Sequence, residues 1–450
     1  MALTEQTAVR ARQEAARLTA EGVRGTAVTW VDNAGIARVK GVPTGRLAQA
    51  ARRGLGMSPV FDVFAVDDSI TTSRYIGGPD GDLRLIPDLD RLTVLAAQPG
   101  WAWAPADRYD QQGRPHPACQ RQFARRMTEQ AAAEGLELRM GFETEWVAVR
   151  AAESTEELSY PTSAPAYGMG RLVDASAYLD GILAALHAQG VEVLQIHPEY
   201  APGQFEVSVA PADPVGAADL AVLVRHTIRA VSAQHGLAAL FGPAVEAGGV
   251  GNGGHLHLSL WEGGRNLCRG ADGPQGMTGV SEAFLAGVLA ELPALLAIGA
   301  PSPASYLRLT PSHWAGVYQC WGVENREAAI RFITGAPDDP EAANAEVKCV
   351  DQAANPYLLT GAVIAAGLDG VARRRTLPPP VSGDPVHEDV QPRLPTTLPE
   401  SLDHFLRSEV LRKALGDPLF ESIAAVRRAE HDLFADATPA AIAAATRGRY

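Results

Sequence analysis

Five glutamates and one histidine are spaced so that together they could hold a pair of divalent cations. They are Glu143 and Glu145 in "GFETEW", Glu199 and Glu206 in "HPEYAPGQFEV", His255 in "GNGGHLHLS" and Glu346 in "NAEVK". Buried carboxylates repel one another and are costly to desolvate unless they are paired or bound to a cation. Hard oxygen donors with one imidazole suit Mg²⁺ or Mn²⁺, ions that commonly hold substrate phosphates. The set therefore points to phosphoryl transfer from a nucleotide.

Glu143 and Glu145 lie in an alternating stretch and share one face of a strand, about 7 Å apart along the backbone. Glu-x-Glu alone fits a solvated strand face equally well, but Phe142, Trp146 and Val147 give this strand a half-buried character. His255 and His257 form an H-x-H face after Gly251, Gly253 and Gly254, glycines that let backbone approach a ligand closely. No GxxxxGK[ST] fingerprint accompanies them. Arg326 and Arg331 in "ENREAAIRF" and Arg308 in "SYLRL" could clamp phosphate or carboxylate bidentately, though each taken singly reads as well as a salt-bridged surface arginine.

The elements that must position these groups follow from periodicity and turn signals. Residues 5–22 read as a helix, 23–31 and 36–42 as strands joined by the turn "DNAG", and 83–88 and 92–97 as further short strands. The predicted division is a small domain over 1–105 and a large one over 106–450, with 107–117 as a polar linker. Helix 118–134 precedes strand 136–149. Helices are expected at 215–236 and 280–299, a Pro-rich irregular segment at 376–399 and a helical tail from 400.

The chain has 450 residues, 46% apolar and 20% charged, enough for two or three domains with a sizeable core. A net charge of −13, from 39 basic and 52 acidic residues, disfavours nucleic acid or an anionic membrane as the main partner. Cys119, Cys268, Cys320 and Cys349 have no CxxC spacing, which argues for reduced thiols in a cytoplasmic protein rather than a zinc site or disulfide framework. The N-terminus reads as a polar amphipathic helix and not a signal peptide. The most apolar window, 358–368, is too short to span a bilayer and reads as a core helix.

Taken in order, "GFETEW", "HPEYAPGQFEV", "GNGGHLHLSL", "SPASYLRL", "NREAAIRF" and "NAEVKCVDQAANPYLLTGAVIAAGLDG" resemble the glutamine synthetase family, and "DNAGIARVKGVP" and "GDLRLIPDLD" resemble its N-terminal domain. The resemblance implies an α+β protein: a β-grasp-like N-terminal domain and a catalytic domain on a mainly antiparallel sheet with packed helices, assembled as a homo-oligomer, a dodecamer of two stacked rings with sites between neighbouring subunits. It implies that Glu145, Glu199 and Glu206 hold one Mg²⁺ or Mn²⁺ and that Glu143, His255 and Glu346 hold the other. Arg308 with the backbone of Gly251 and Gly253 would bind L-glutamate. His257, Ser259, Arg326 and Arg331 would serve ATP and its moving phosphate. Asp68 in "VDDSI", or Asp67 in an alternative register, matches the family's ammonium-site aspartate.

Three departures matter. Ammonia-using members carry a flap glutamate six residues after the glutamate-binding arginine; here that position is Trp314, which can wall a pocket for a carbon-bearing amine. Lys348 replaces an arginine expected to touch glutamate or phosphate. The "NLYDL"-type stretch that is adenylylated in some bacterial members is missing, since 388–395 reads "EDVQPRLP", so that control is not expected.

These features imply an ATP-dependent ligase that joins glutamate to a small amine through γ-glutamyl phosphate. The chain resembles the γ-glutamylethanolamide synthetases of actinomycetes, and ethanolamine is the first expectation because 312–321 carries no acid for a second ammonium. Polyamines come next, then ammonia, as in an ordinary glutamine synthetase. A catalytically silent member of the family is a further alternative, against which the retained ligand set argues.

Overall fold

The computed structural model describes residues 5–151, 158–387 and 392–450. The start of the "EDVQPRLP" stretch, 388–391, lies outside them. The first sheet holds β1 (Gly25–Val31), β2 (Ala37–Pro43), β3 (Leu55–Met57), β4 (Leu83–Pro87), β5 (Thr93–Val94) and β6 (Trp101–Tyr109). Its order is β2-β1-β6-β4-β3, with β5 beside β6. The β1–β6 pair is parallel and the other pairs are antiparallel, the expected β-grasp-like arrangement. Helices α1 (Glu5–Ala20) and α2 (Leu47–Arg53) pack against each other beside it.

β6 crosses residue 105, where the sequence reading ends the first domain, and takes up the first residues of the expected linker. Pro105 has no N–H to donate. Here it sits where β6 changes partners: Trp101–Pro105 pair with β1, and Ala106–Tyr109 with β4. The Pro105 carbonyl still accepts from the Asp88 amide at 2.8 Å.

The second sheet contains β7 (Glu137–Arg150), β8 (Val193–Pro198), β9 (Gln204–Val209), β10 (Leu237–Leu240), β11 (Leu256–Glu262), β12 (Arg265–Asn266), β13 (Tyr318–Val323), β14 (Ala328–Ile333) and β15 (Asn344–Val347). The order is β13-β14-β15-β11-β7-β9-β8, with β10 on β7 and β12 on β11. Only the β13–β14 pairing is parallel among these strands. Helices α3 (Gln120–Ala133), α4 (Met169–Asp174), α5 (Ser176–Ala188), α6 (Pro214–Gln234), α7 (Gly279–Gly299), α8 (Ser305–Arg308) and α9 (Pro356–Arg373) follow in chain order, then α10 (Leu398–Arg407), α11 (Glu409–Leu415), α12 (Asp417–Leu433) and α13 (Pro439–Thr446).

Helix α9 is apolar almost all round and packs against α3, α6 and α7, as such a helix must. Asn355 starts it: its side-chain oxygen accepts from the Tyr357 and Leu358 amides, and Pro356 follows at the first position. The same side chain donates to the Val31 and Asp32 carbonyls, tying α9 to the β1–β2 turn. Helix α7 is long and apolar enough to cross a membrane by length and composition, but 78% of its most apolar stretch is buried inside the protein. All four cysteines are buried, and none forms a disulfide with another described residue.

A buried polar network joins the first sheet to the helices of the second unit. The Arg108 guanidinium on β6 donates to both Asp62 oxygens at 2.8 Å, and both residues are fully buried. Gln120 on α3 donates to Asp62 and to Asn33, and Asn33 donates to Ser422 on α12. Burial alone would raise the Asp62 carboxyl; Arg108 outweighs it and holds the group below its ordinary value. Removing one member leaves an uncompensated buried charge. Asp62→Ala should therefore destabilise the chain by about 3–5 kcal/mol, read as a lower urea midpoint; an unchanged midpoint would remove the pair from the forces that join the two units.

Candidate active site

Strand register brings the chemistry-bearing residues together. Across β8, β9 and β7, His197 stands opposite Glu206 and Glu206 opposite Glu145. Across β11, β15 and β14, His257 stands opposite Glu346 and Glu346 opposite Arg331. The antiparallel β7–β11 pairing joins these rows, and the Glu143 amide donates to the His255 carbonyl at 3.0 Å. The opposite face of β7 is core: Trp146 is fully buried against Phe205 and Tyr178, and its indole N–H donates to the Tyr178 hydroxyl.

These side chains line one cavity of about 960 Å³. All six expected metal ligands border it, as do Gly251, Gly253, His257, Arg308, Trp314, Arg326, Arg331 and Lys348. Two compact donor groups stand out among the described residues. Glu143, His255 and Glu346 form one, and His197, Glu199 and Glu206 the other, each with ligand atoms within 4.8 Å of one another.

In the first group His255 Nδ1 lies 2.7 Å from Glu143 Oε2 and 3.0 Å from Glu346 Oε1. Burial and the Lys348 charge oppose protonation of this imidazole, but the two carboxylates outweigh them and raise it to about 9. Lys348 Nζ sits 3.0 Å from Glu346 Oε1, and Arg331 Nη1 3.3 Å from Oε2. His257 Nε2 is 3.0 Å from the other Glu143 oxygen. In the second group His197 spans Glu199 at 3.5 Å and Glu206 at 3.4 Å. The Tyr167 hydroxyl donates to Glu199 at 2.7 Å.

Glu145 stands between the groups. Burial, together with the Glu206 and Glu199 charges, pushes its carboxyl up to about 7. That is the behaviour of acids sharing a low-dielectric space with too little positive charge beside them. Four carboxylates and two imidazoles in two tight clusters, with Glu145 between them, fit oxygen-preferring divalent ions well. Gln204, almost fully buried, orients Glu145: its amide donates to Glu145 Oε2 and to the Gly251 carbonyl, each at 3.0 Å.

The glycines have a steric reason. A Cβ on Gly253 would come within 2.7 Å of both Glu145 Oε1 and His255 Nε2, and one on Gly251 within 2.8 Å of Arg308 Cγ. Arg308 Nη2 is 3.2 Å from His255 Nε2 and donates to the Lys348 carbonyl at 3.1 Å. Its Nη1 is buried with no hydrogen-bond partner among the described residues.

Three other expected site residues lie away from this cavity. Ser259 does not border the cavity; it lies two residues further along β11, and its hydroxyl accepts from the Trp261 indole at 2.9 Å. Asp68 and Asp67 do not border it either. Asp68 is held by Arg38 at 2.6 Å and Arg449 at 3.4 Å, with its side chain 49% exposed, and Asp67 accepts from the Ser69 amide. Sequence reasoning missed His197, although H-x-E at the end of β8 is the same alternation that flagged Glu143 and Glu145. It also missed Gln204 and Tyr167, which carry no distinctive spacing.

Glu346 binds His255, Arg331 and Lys348 at once, so its loss should remove more than a ligand-supporting group would. Glu346→Ala should weaken one of two Mn²⁺ binding events in titration calorimetry by more than about 10- to 100-fold, leaving the other close to wild type. Unchanged affinity at both would take Glu346 out of the metal set.

Comparison with known proteins agrees with this geometry. Residues 117–443 match the glutamine synthetase catalytic domain family. The chain is 54% identical to the gamma-glutamylpolyamine synthetase of Streptomyces coelicolor, over 98% of this chain and 97% of that one. It is 31% identical to the glutamate–methylamine ligase of Methyloversatilis universalis, over 86% and 88%. A solved structure of a glutamine synthase homolog superimposes with a TM-score of 0.86 at 33% identity, covering 95% of this chain and 99% of that one. From its strand register, its paired acid and imidazole clusters and these likenesses, the chain belongs to the glutamine synthetase family.

Proposed function

We propose that this protein is an ATP-dependent ligase that joins the γ-carboxylate of L-glutamate to an amino group of a polyamine, passing through γ-glutamyl phosphate and releasing ADP and phosphate. Membership of the family makes it a carbon–nitrogen ligase. The observation that carries the reading is the convergence of two acid–imidazole clusters with Arg308, Arg326, Arg331 and Lys348 on one cavity.

In this reading Glu143, His255 and Glu346 hold one Mg²⁺ or Mn²⁺, and Glu145, Glu199 and Glu206, joined by His197, hold another. Such ions neutralise the charge that spreads over the transferring phosphoryl group. Arg308 and the backbone of Gly251 and Gly253 receive glutamate, whose γ-carboxylate oxygen attacks the terminal phosphorus of ATP as ADP departs. Arg326 and Arg331 clamp the phosphate oxygens, and Lys348 supplies a point charge beside them. His257 serves the nucleotide; Ser259 is set aside because it does not border the cavity. The neutral amine then attacks the acyl carbon, phosphate leaves, and the amine's proton passes to a carboxylate. Asp68, exposed on this chain's own surface, serves the amine only across a subunit boundary, as a ring-shaped homo-oligomer would allow. Reduced thiols suit a cytoplasmic enzyme of nitrogen metabolism.

Polyamine replaces ethanolamine as the preferred amine for two reasons. The first is the 54% identity to a gamma-glutamylpolyamine synthetase. The second is local. Trp314, Tyr167 and Tyr200 line the cavity with 53%, 51% and 55% of their surfaces exposed, offering aromatic faces to a methylene chain and an ammonium.

Glutamate- and ATP-dependent phosphate release should be measured over ammonia, ethanolamine, monoamines and polyamines of increasing length. Polyamines should exceed ethanolamine and ammonia in kcat/KM by about 10-fold or more. A preference for ethanolamine would overturn the amine assignment, and release independent of every amine would overturn the ligase. Trp314→Glu should shift preference towards ammonia; an unchanged ratio would remove Trp314 from the amine wall.

A further inference from the structure

The loop that carries Trp314 is held in a costly shape from outside itself. Ser312 and Trp314 both adopt left-handed backbone, with φ of 59° and 54°. Neither is glycine, so neither enters that region without help from its surroundings. Gly316, at φ 66°, brings the end of the loop so close to β15 that a Cβ there would meet the Lys348 Cβ at 2.9 Å. Trp314 is nevertheless half exposed, so side-chain burial does not fix the loop.

The tie is Glu327. It closes the turn between β13 and β14, is 8% exposed, and accepts the Trp314 amide on Oε1 at 2.7 Å. Its other oxygen, Oε2, is buried with no hydrogen-bond partner among the described residues. Asn325 shapes the same turn: its side-chain oxygen accepts the Glu327 amide at 3.0 Å, and its amide group donates to the Val381 and Gly383 carbonyls. Glu327 follows Arg326, which lines the cavity, so one short turn carries both a cavity cation and the anchor of the aromatic wall.

We propose that Glu327 is a positioning residue that clamps the 311–316 loop through the Trp314 amide and thereby sets the width and aromatic lining of the amine pocket. The inference rests on the reading of Trp314 as the amine wall. A carboxylate suits the role because a charge-assisted bond to a backbone N–H is about twice as strong as a neutral one. A buried acid in the loop itself would lie too close to the cavity to stay apart from the substrate's own charges. From the neighbouring turn it holds the backbone while the indole alone faces the amine.

The test uses full-length wild type, Glu327→Gln and Glu327→Asp, each assayed for KM and kcat with glutamate, ATP, a polyamine and ethanolamine, and for amide hydrogen exchange of the peptide spanning 311–316. Glu327→Gln should speed exchange in that peptide and raise the amine KM about 10-fold, with glutamate and ATP KM within about twofold. Glu327→Asp should recover part of both effects. Unchanged loop exchange in Glu327→Gln would overturn the clamp. Faster exchange with an unchanged amine KM would overturn the link between loop and pocket. A loss confined to polyamines with unchanged exchange would make Glu327 a direct charge partner of the substrate and also overturn the clamp. If wild type ligates no amine, the ligase reading fails by itself, and the exchange data still decide whether Glu327 holds the loop.

Discussion

Mutual repulsion among buried carboxylates is the constraint around which this molecule is organised. Glu143, Glu145, Glu199, Glu206 and Glu346 share one cavity, and in water-poor surroundings such a group is unfavourable without compensating charge. The protein supplies part of it: His255 bridges Glu143 and Glu346, His197 bridges Glu199 and Glu206, and Arg331 and Lys348 approach Glu346. Glu145 is left furthest from balance, with its carboxyl pushed up to about 7. The remaining deficit is one that a divalent cation would correct.

The sheet makes this arrangement rigid. Period-two alternation puts Glu143 and Glu145 on one face of β7 and leaves Trp146 on the other, packed in the core. A one-residue slip between β7 and β9 would separate Glu145 from Glu206 and drive Trp146 into the cavity, so core packing and site geometry enforce the same register. In the proposed reading amine choice falls instead to a loop, outside the ligand rows, whose backbone is strained at Ser312 and Trp314.

Much of this was legible in the chain. Glu-x-Glu in a half-buried strand, H-x-H after a glycine run and the ordered motifs around them picked out five acids and an imidazole that the fold brings to one cavity. The sequence was less informative where function depends on neighbours distant along the chain. Glu327 is 13 residues from Trp314, and the parallel β13–β14 pairing brings their segments together, so a tie between them is not visible in a window around Trp314. Ser259 shares a strand face with His257, but face alone does not say how far along β11 the cavity extends. No strand was expected where β6 lies, and the domain boundary at 105 falls inside it; a change of pairing partner at Pro105 makes its missing N–H harmless.

The most direct measurement is the anomalous scattering of manganese in crystals grown with Mn²⁺ and ADP. Two strong peaks are expected in the cavity, one within bonding distance of Glu143, His255 and Glu346, the other beside Glu145, Glu199 and Glu206. Manganese located elsewhere, with these side chains still paired only to one another, would contradict the account.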